Sequence, residues 1–222
     1  MHRNDNLRLS IQQRLQQTPV HSVAHTDLRR AAVALVLVDA GFGAGLPGFA
    51  QHRDWSDEAA FLLTRRATTL SSHAGQWALP GGRIDAGETA AAAALRELQE
   101  ELGLQLPAGS VLGRLDDYTT RSGYVMTPFV VWAEIGPEPA LRPDPAEVAS
   151  AHRIPLSELL RADAPIIDPP HEGHDQPVLR MPLGEHWVAA PTAAVLHQFS
   201  EWCLHGRPTR VAHFDQPRFT WR

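Results

Sequence analysis

Ala31 to Asp39 is a near-continuous apolar run rich in valine and closed by one acid. A run of that length and composition reads as a strand buried on both faces, because a half-exposed strand would alternate apolar with polar residues. Its longest apolar stretch, Ala31 to Val38, is far too short to span a bilayer. The chain around it must therefore supply packed layers on both sides of a sheet.

Candidate elements for those layers follow in order. Leu7, Ile11 and Leu15 are spaced to share one side of a short helix over Leu7 to Gln17. Gly41 to Pro47 breaks regular structure, Asp54 to Glu58 reads as an exposed turn, and Ala59 to Arg66 as a second strand. Pro80-Gly81-Gly82 interrupts the chain before a strong helix from about Glu88 to Leu102. Val111 to Thr119, Val125 to Glu134 and Val148 to Ile154 read as strands, and Pro155 to Arg161 as a helical turn. Gly136 to Pro145 and Pro165 to Pro177 read as loops, Val178 to Leu183 with Trp187 to Ala189 as an edge hairpin, and Pro191 to Leu204 as a final helix. Strands interleaved with few helices predict a mixed sheet between helices, an α/β (α+β) chain.

With 222 residues, no internal repeat and no long linker, one domain with extensions is expected. The divisions are an N-terminal helical extension over 1–30, a main domain over 31–205 and an aromatic, basic tail over 206–222. Hydrophobic residues at 43% with 20% charged are globular rather than disordered. A formal net charge of −5 argues against nucleic acid or an anionic membrane as partner. One cysteine, Cys203, excludes an intrachain disulfide or a cysteine-rich zinc site. The polar start, Met1 to Asn6, leads into no signal-peptide core, so a cytoplasmic location is expected.

The helix after the glycines carries the chemistry. Ala90 to Ala94 is strong helix-forming sequence, and Gly103 stands where a left-handed C-terminal cap belongs. Leu95, Leu98 and Leu102 share one side, while Glu97, Glu100 and Glu101 occupy a separate arc roughly 100° wide. Carboxylates bunched in this way repel one another, and Arg96 is the one basic residue within a turn. The helix alone reads equally as an exposed acidic face or as a site for a hard divalent cation, magnesium or manganese. Gly81 and Gly82 would let backbone approach such a site closely.

The run Gly82, Glu88, Arg96-Glu97-Leu98-Gln99-Glu100-Glu101-Leu102-Gly103-Leu104 resembles the Nudix box at every constrained position. The resemblance implies an α/β/α sandwich with a mixed β-sheet and a Mg2+- or Mn2+-dependent hydrolase of diphosphates. Glu97, Glu100 and Glu101 would then be metal ligands, Arg96 would orient them, and Glu88 would support the loop or join the metal shell.

Upstream, Leu62-Leu63-Thr64-Arg65-Arg66-Ala67, then Gly75, then Pro80-Gly81-Gly82 is similar to the motif preceding the box in coenzyme A pyrophosphatases. Ser71 and Leu79 stand where that motif carries arginine and phenylalanine. Ser122 to Pro128 and Pro143 to Val148 resemble the same branch. The implied reaction cuts CoA or acyl-CoA to 3′,5′-ADP and (acyl-)4′-phosphopantetheine. Another nucleoside diphosphate, such as ADP-ribose or a dinucleotide, and a non-catalytic nucleotide-binding module are the competing readings.

Glu147 is a candidate base or extra ligand, or a plain loop acid. Arg65, Arg66, Arg83 and Arg121 are candidate phosphate contacts, together with the backbone of Gly81 and Gly82; strand alternation puts Arg65 and Arg66 on opposite faces. Trp77 and His73 read as a packing residue and a loop histidine, and His171, His174 and Asp175 as a solvated loop. The helix from Pro191 and the aromatic tail are compatible with a homodimer.

Overall fold

The computed structural model describes residues 1–24, 27–70, 73–136, 141–170 and 175–217. In chain order these form α1 (Asp5–Gln17), β1 (Arg29–Gly43), β2 (Gln51–Arg66), β3 (Trp77–Ala78), β4 (Gly81–Arg83), α2 (Ala90–Leu102), β5 (Val111–Arg114), β6 (Tyr118–Thr119), β7 (Tyr124–Trp132), β8 (Val148–Pro155), β9 (Ile166–Asp168), β10 (Val178–Leu183), β11 (His186–Ala189) and α3 (Thr192–Phe199). The apolar run is β1, at the centre of a mixed sheet. It pairs in parallel with β7, from Arg29↔Tyr124 to Leu37↔Trp132, and antiparallel with β2 on its other edge. β8 lies outside β2, and β5 and β6 lie outside β7.

Both faces of β1 are covered, as its composition requires. Ala32, Ala34, Val36 and Val38 pack with Ala93, Ala94, Leu98 and Leu102 of α2. Leu35 and Leu37 face the opposite core, built with Ile11 and Leu15 of α1 and Val195, Leu196 and Phe199 of α3. Burying each of the valine, leucine, isoleucine and phenylalanine side chains contributes about 1.5–3 kcal/mol, and each alanine methyl less. The result is an α/β/α sandwich around a mixed sheet.

Several segments depart from their sequence reading. Asp54 to Glu58 is strand rather than turn: β2 starts at Gln51 and pairs with β1 through bulges at Gly41 and Gly43. The N-terminus lies along that polar stretch, with the Ala59 amide donating to the Met1 carbonyl at 2.8 Å and the Arg3 amide to the Asp57 carbonyl at 2.8 Å. Val111 to Thr119 divides into β5 and β6 at the buried pair Asp116 and Asp117. The loop read over Pro165 to Pro177 contains β9, which makes a three-stranded sheet with β10 and β11. The last helix ends in a wider π-helical turn, Ser200–His205.

Both ends of the chain are tied to the body through those two aspartates. Asp116 accepts from the His21 amide at 2.6 Å, from Gln198 Nε2 at 2.7 Å and from Arg210 Nη1 at 2.6 Å. Asp117 accepts from Thr127 Oγ1 at 2.8 Å and from the Val23 amide at 3.0 Å. The tail also buries Val211, Phe214, Asp215 and Gln216, while Phe219 and Trp221 lie outside the described residues.

One irregularity in the sheet positions the site. β1 and β2 are paired from Leu37↔Phe61 onward, but nearer the start of β1 they splay apart. The short strands β3 and β4 fill the gap, with Ala78 against Thr64 of β2 and Gly81 against Val33 of β1. The turn between them donates no amide at Pro80; its carbonyl accepts from the Ala34 amide at 2.8 Å. Pro80-Gly81-Gly82 is thus a wedge inside the sheet.

Candidate active site

Helix α2 begins at Thr89, whose hydroxyl accepts from the Ala92 amide at 3.2 Å, and stops at Gly103 in the left-handed region (φ 66°). Such caps contribute about 1 kcal/mol each and fix which residues face the sheet. With Ala93, Ala94, Leu98 and Leu102 buried, helical spacing turns Glu97 and Glu101 toward the glycine wedge. The backbone of Gly82 lies so close to Glu97 that a methyl group on it would collide with the carboxylate. At Gly81 a methyl group would strike the Ala32 carbonyl oxygen and Val33 of β1. Both positions therefore demand glycine for close approach.

Glu97, Glu101 and Glu147 each present one carboxylate oxygen, and these oxygens lie within 4.8 Å of one another. Glu147 arrives from the loop before β8, whose turn is closed by the Glu147 amide donating to the Asp144 carbonyl at 3.0 Å. Glu101 is 3% exposed, and its Oε2 has no hydrogen-bond partner. Burial pushes its carboxyl up to about 8, the charges of Glu97 and Glu147 push the same way, and Arg66 opposes them. Burial likewise raises the Glu97 carboxyl, against the pull of Arg96. Three hard oxygen donors, one orphaned and held protonated at neutral pH, fit a divalent cation: binding one would supply the missing partner and the missing charge.

Glu88 and Glu100 stand apart from this triplet, bound to Arg96. Glu88 takes Arg96 Nε on one oxygen at 3.1 Å and Nη2 on the other at 3.2 Å, and it also accepts from the Asp85 amide. Arg96 Nη1 donates to Glu97 at 2.9 Å and to Glu100 at 2.8 Å, while Nη2 reaches the Arg83 carbonyl at 2.9 Å. One guanidinium thus ties the glycine loop to one turn of the helix. The Arg96 bonds hold the Glu88 carboxyl below its usual range, and Glu88 first of all holds the Arg96 guanidinium protonated. Glu88 accordingly sits where it supports the loop, and Glu100 has its carboxylate at the site margin, lining the cleft beside it.

That cleft has a volume of about 1090 Å³. Its floor is the sheet face opposite α2, formed by alternate residues of three adjacent strands: Gly81 and Arg83 of β4, Ala31 and Val33 of β1, and Met126 of β7. Trp77 and Trp187 stand at its wall, with β11 and the start of α3. Glu97, Glu100 and Glu147 reach this cleft at the wedge, where Gly81 and Gly82 carry no side chain to block them, while Glu101 lies buried behind them.

Of the candidate phosphate-binding arginines, Arg66 and Arg83 line the cleft. Arg66 Nε is buried without a hydrogen-bond partner. Arg65 points elsewhere, donating to the Gly75 carbonyl at 3.2 Å and lying 5.6 Å over the Trp77 ring. Arg121 is held by the buried Asp215 through two bonds of 2.8 Å. His73 lines the cleft, and Trp77 both lines it and packs on the core. Ser71, His171 and His174 lie outside the described residues. Among the cleft residues given no individual role from sequence are Arg29 and Tyr124. Extending the β1 alternation two residues back from Ala31 would have found the arginine.

Known proteins are similar to this chain over much of its length. Residues 53–172 match the NUDIX domain. A protein of Photorhabdus laumondii named as an uncharacterized Nudix hydrolase NudL is 37% identical over 142 residues, 63% of this chain and 75% of the relative. Its namesake in Cronobacter sakazakii is 42% identical over 105 residues, and there the alignment spans 47% of this chain and about half (54%) of the relative. A solved MutT protein of Methanosarcina mazei is similar at a TM-score of 0.43 and 19% identity, covering 64% of this chain and 82% of that one. No helix among the described residues is long and apolar enough to cross a membrane. From the matched domain, the relatives and the carboxylate wedge together, this chain belongs to the Nudix hydrolases, a pyrophosphatase family.

Proposed function

We propose that the protein hydrolyses the diphosphate of coenzyme A or acyl-CoA, giving 3′,5′-ADP and (acyl-)4′-phosphopantetheine. The observation that carries the reaction is the triplet Glu97, Glu101 and Glu147, three carboxylates at the glycine wedge beside a cleft lined by Arg66 and Arg83. The CoA substrate is supported by the run Leu62 to Ala67, Gly75 and Pro80-Gly81-Gly82. Leu79, where the related motif has phenylalanine, is buried against the core and also lines the cleft, as Trp77 and Trp187 do.

Glu97, Glu101 and Glu147 would hold Mg2+ or Mn2+, with Glu100 at the margin of the shell. A divalent cation there supplies neutralisation of diphosphate oxygens and a lowered pKa for the attacking water. The protein's own groups do the rest. Arg66 and Arg83 bind and orient the diphosphate through guanidinium forks. Arg96 keeps Glu97 and Glu100 in place. Glu147, exposed beside the cleft, accepts the proton on the carboxylate oxygen not turned to the cation site, as water oxygen bonds to phosphorus and the bridging P–O bond breaks. One water enters and the two phosphate monoesters leave.

Incubation of the purified protein with CoA, acetyl-CoA, ADP-ribose and a dinucleotide, with Mg2+ or Mn2+ and with EDTA, tests this. Release of 3′,5′-ADP from CoA is expected with metal alone. Turnover of ADP-ribose with none of CoA would overturn the substrate, and metal-independent turnover would overturn the mechanism.

A further inference from the structure

The end of the cleft floor away from the carboxylates holds two arginines around one tyrosine. Arg29 of β1 lies 4.0 Å over the Tyr124 ring, and Arg83 of β4 lies 5.8 Å from the same ring with its Nε donating to the phenol oxygen at 2.8 Å. All three line the cleft, with the hydroxyl residues Thr120 and Ser122 next to them. Arg29 also donates to the Ser122 carbonyl at 3.0 Å. Among the described residues neither arginine has a carboxylate partner, whereas Arg96, Arg121, Arg161 and Arg180 each do.

Position along the sheet carries this site beyond the first, with Arg83 common to both. Gly81 at the wedge is paired with Val33, and Arg29 lies four residues back along β1, about 13 Å at the rise of a strand. A diphosphate at the carboxylates therefore leaves the Arg29 side chain to meet whatever lies beyond the diphosphate. Two cations stacked on one ring repel each other unless an anion joins them. Both guanidiniums line the cleft, and among the described residues no carboxylate pairs with either, which is the pattern of an anion site.

We propose that Arg29, Tyr124 and Arg83 form a clasp for a second anionic group of the substrate, a phosphomonoester on the nucleoside side of the diphosphate. This rests on the reading of the cleft as a nucleoside diphosphate site. The clasp selects nucleotides that carry such a phosphate over those that lack it. Tyr124 fixes both guanidiniums by stacking and by its hydroxyl, and the phosphate accepts from both.

Calorimetric binding of 3′,5′-ADP and 5′-AMP, two nucleotides differing by one phosphomonoester, tests the clasp without any hydrolysis. The wild-type protein should bind 3′,5′-ADP about 10- to 100-fold more tightly, the span of one or two charge-assisted contacts. In Arg29→Gln, and independently in Arg83→Gln, that preference should fall to threefold or less, with circular dichroism confirming the fold. Equal affinities in the wild-type protein, or a preference that persists in both variants, would overturn the proposal. Hydrolysis of CoA and of dephospho-CoA measured alongside keeps the two readings separate. Failure to turn over either one counts against the proposed function and leaves the binding comparison to judge the clasp.

Discussion

Gly82 and Glu97 are in backbone-to-carboxylate contact: the space a Cβ would occupy on Gly82 is already filled by the Glu97 side-chain oxygens. The glycine is thereby a shape requirement of the carboxylate triplet and not merely a turn former. Gly82→Ala should move Glu97 while leaving the fold intact, because the displaced group is the end of a flexible side chain. A shift of that size costs about 100-fold in kcat. Steady-state kinetics beside a thermal melt would show it, and a variant within threefold of wild type would contradict the contact's importance.

Glu101 gives a pH-dependent prediction. Its carboxyl is raised from 4.5 to about 8 in the metal-free protein. A raised carboxyl means the folded state holds the proton more tightly than the unfolded chain. Stability from this group is therefore fully present below about 4.5 and lost as pH climbs through about 8. In EDTA, Glu101→Gln should melt close to wild type at pH 5 and above it at pH 8.5, by an amount on the order of 2 kcal/mol. Mn2+ at pH 8.5 should raise the wild-type melting temperature and not that of the variant. A wild-type-to-variant gap that ignores pH would refute the assignment.

Arg96 ties Glu88, Glu97 and Glu100 to the Arg83 carbonyl with one planar group. Lysine offers a charge without the fork, so Arg96→Lys should behave much like Arg96→Ala. Both should lose about 1–3 kcal/mol of stability and at least tenfold in kcat. Urea unfolding and initial-rate measurements decide this, and full rescue by lysine would show that charge alone suffices.

Cys203 is 3% exposed, and burial pushes its thiol up to about 12. At pH 8 it is a neutral thiol inside the α1–α3 core, so the native protein should resist an aromatic disulfide reagent. One equivalent should react promptly once the chain is unfolded in guanidinium. Rapid native labelling would mean that the final helix opens locally, away from the packing around Trp202 and Phe199.

The local order of the chain fixed a good deal of this protein by itself. Valine-rich Ala31 to Asp39 could only be satisfied as an internal strand, and the leucines of α2 required Glu97, Glu100 and Glu101 to share another arc, because both patterns follow from fixed periodicities of the backbone. What the carboxylates do with one another was decided in three dimensions. Glu147, forty-six residues beyond Glu101, joins Glu97 and Glu101 while Glu100 is drawn to Arg96. That choice depends on the loop before β8 folding back against the wedge, a long-range contact no local spacing encodes. The same holds for Asp54 to Glu58, whose charges read as a turn until the N-terminus pairs along it. It holds as well for Arg29 and Arg83, made neighbours of Tyr124 only by the register of three strands. Periodicity says which way a side chain points, and tertiary packing says what it meets there.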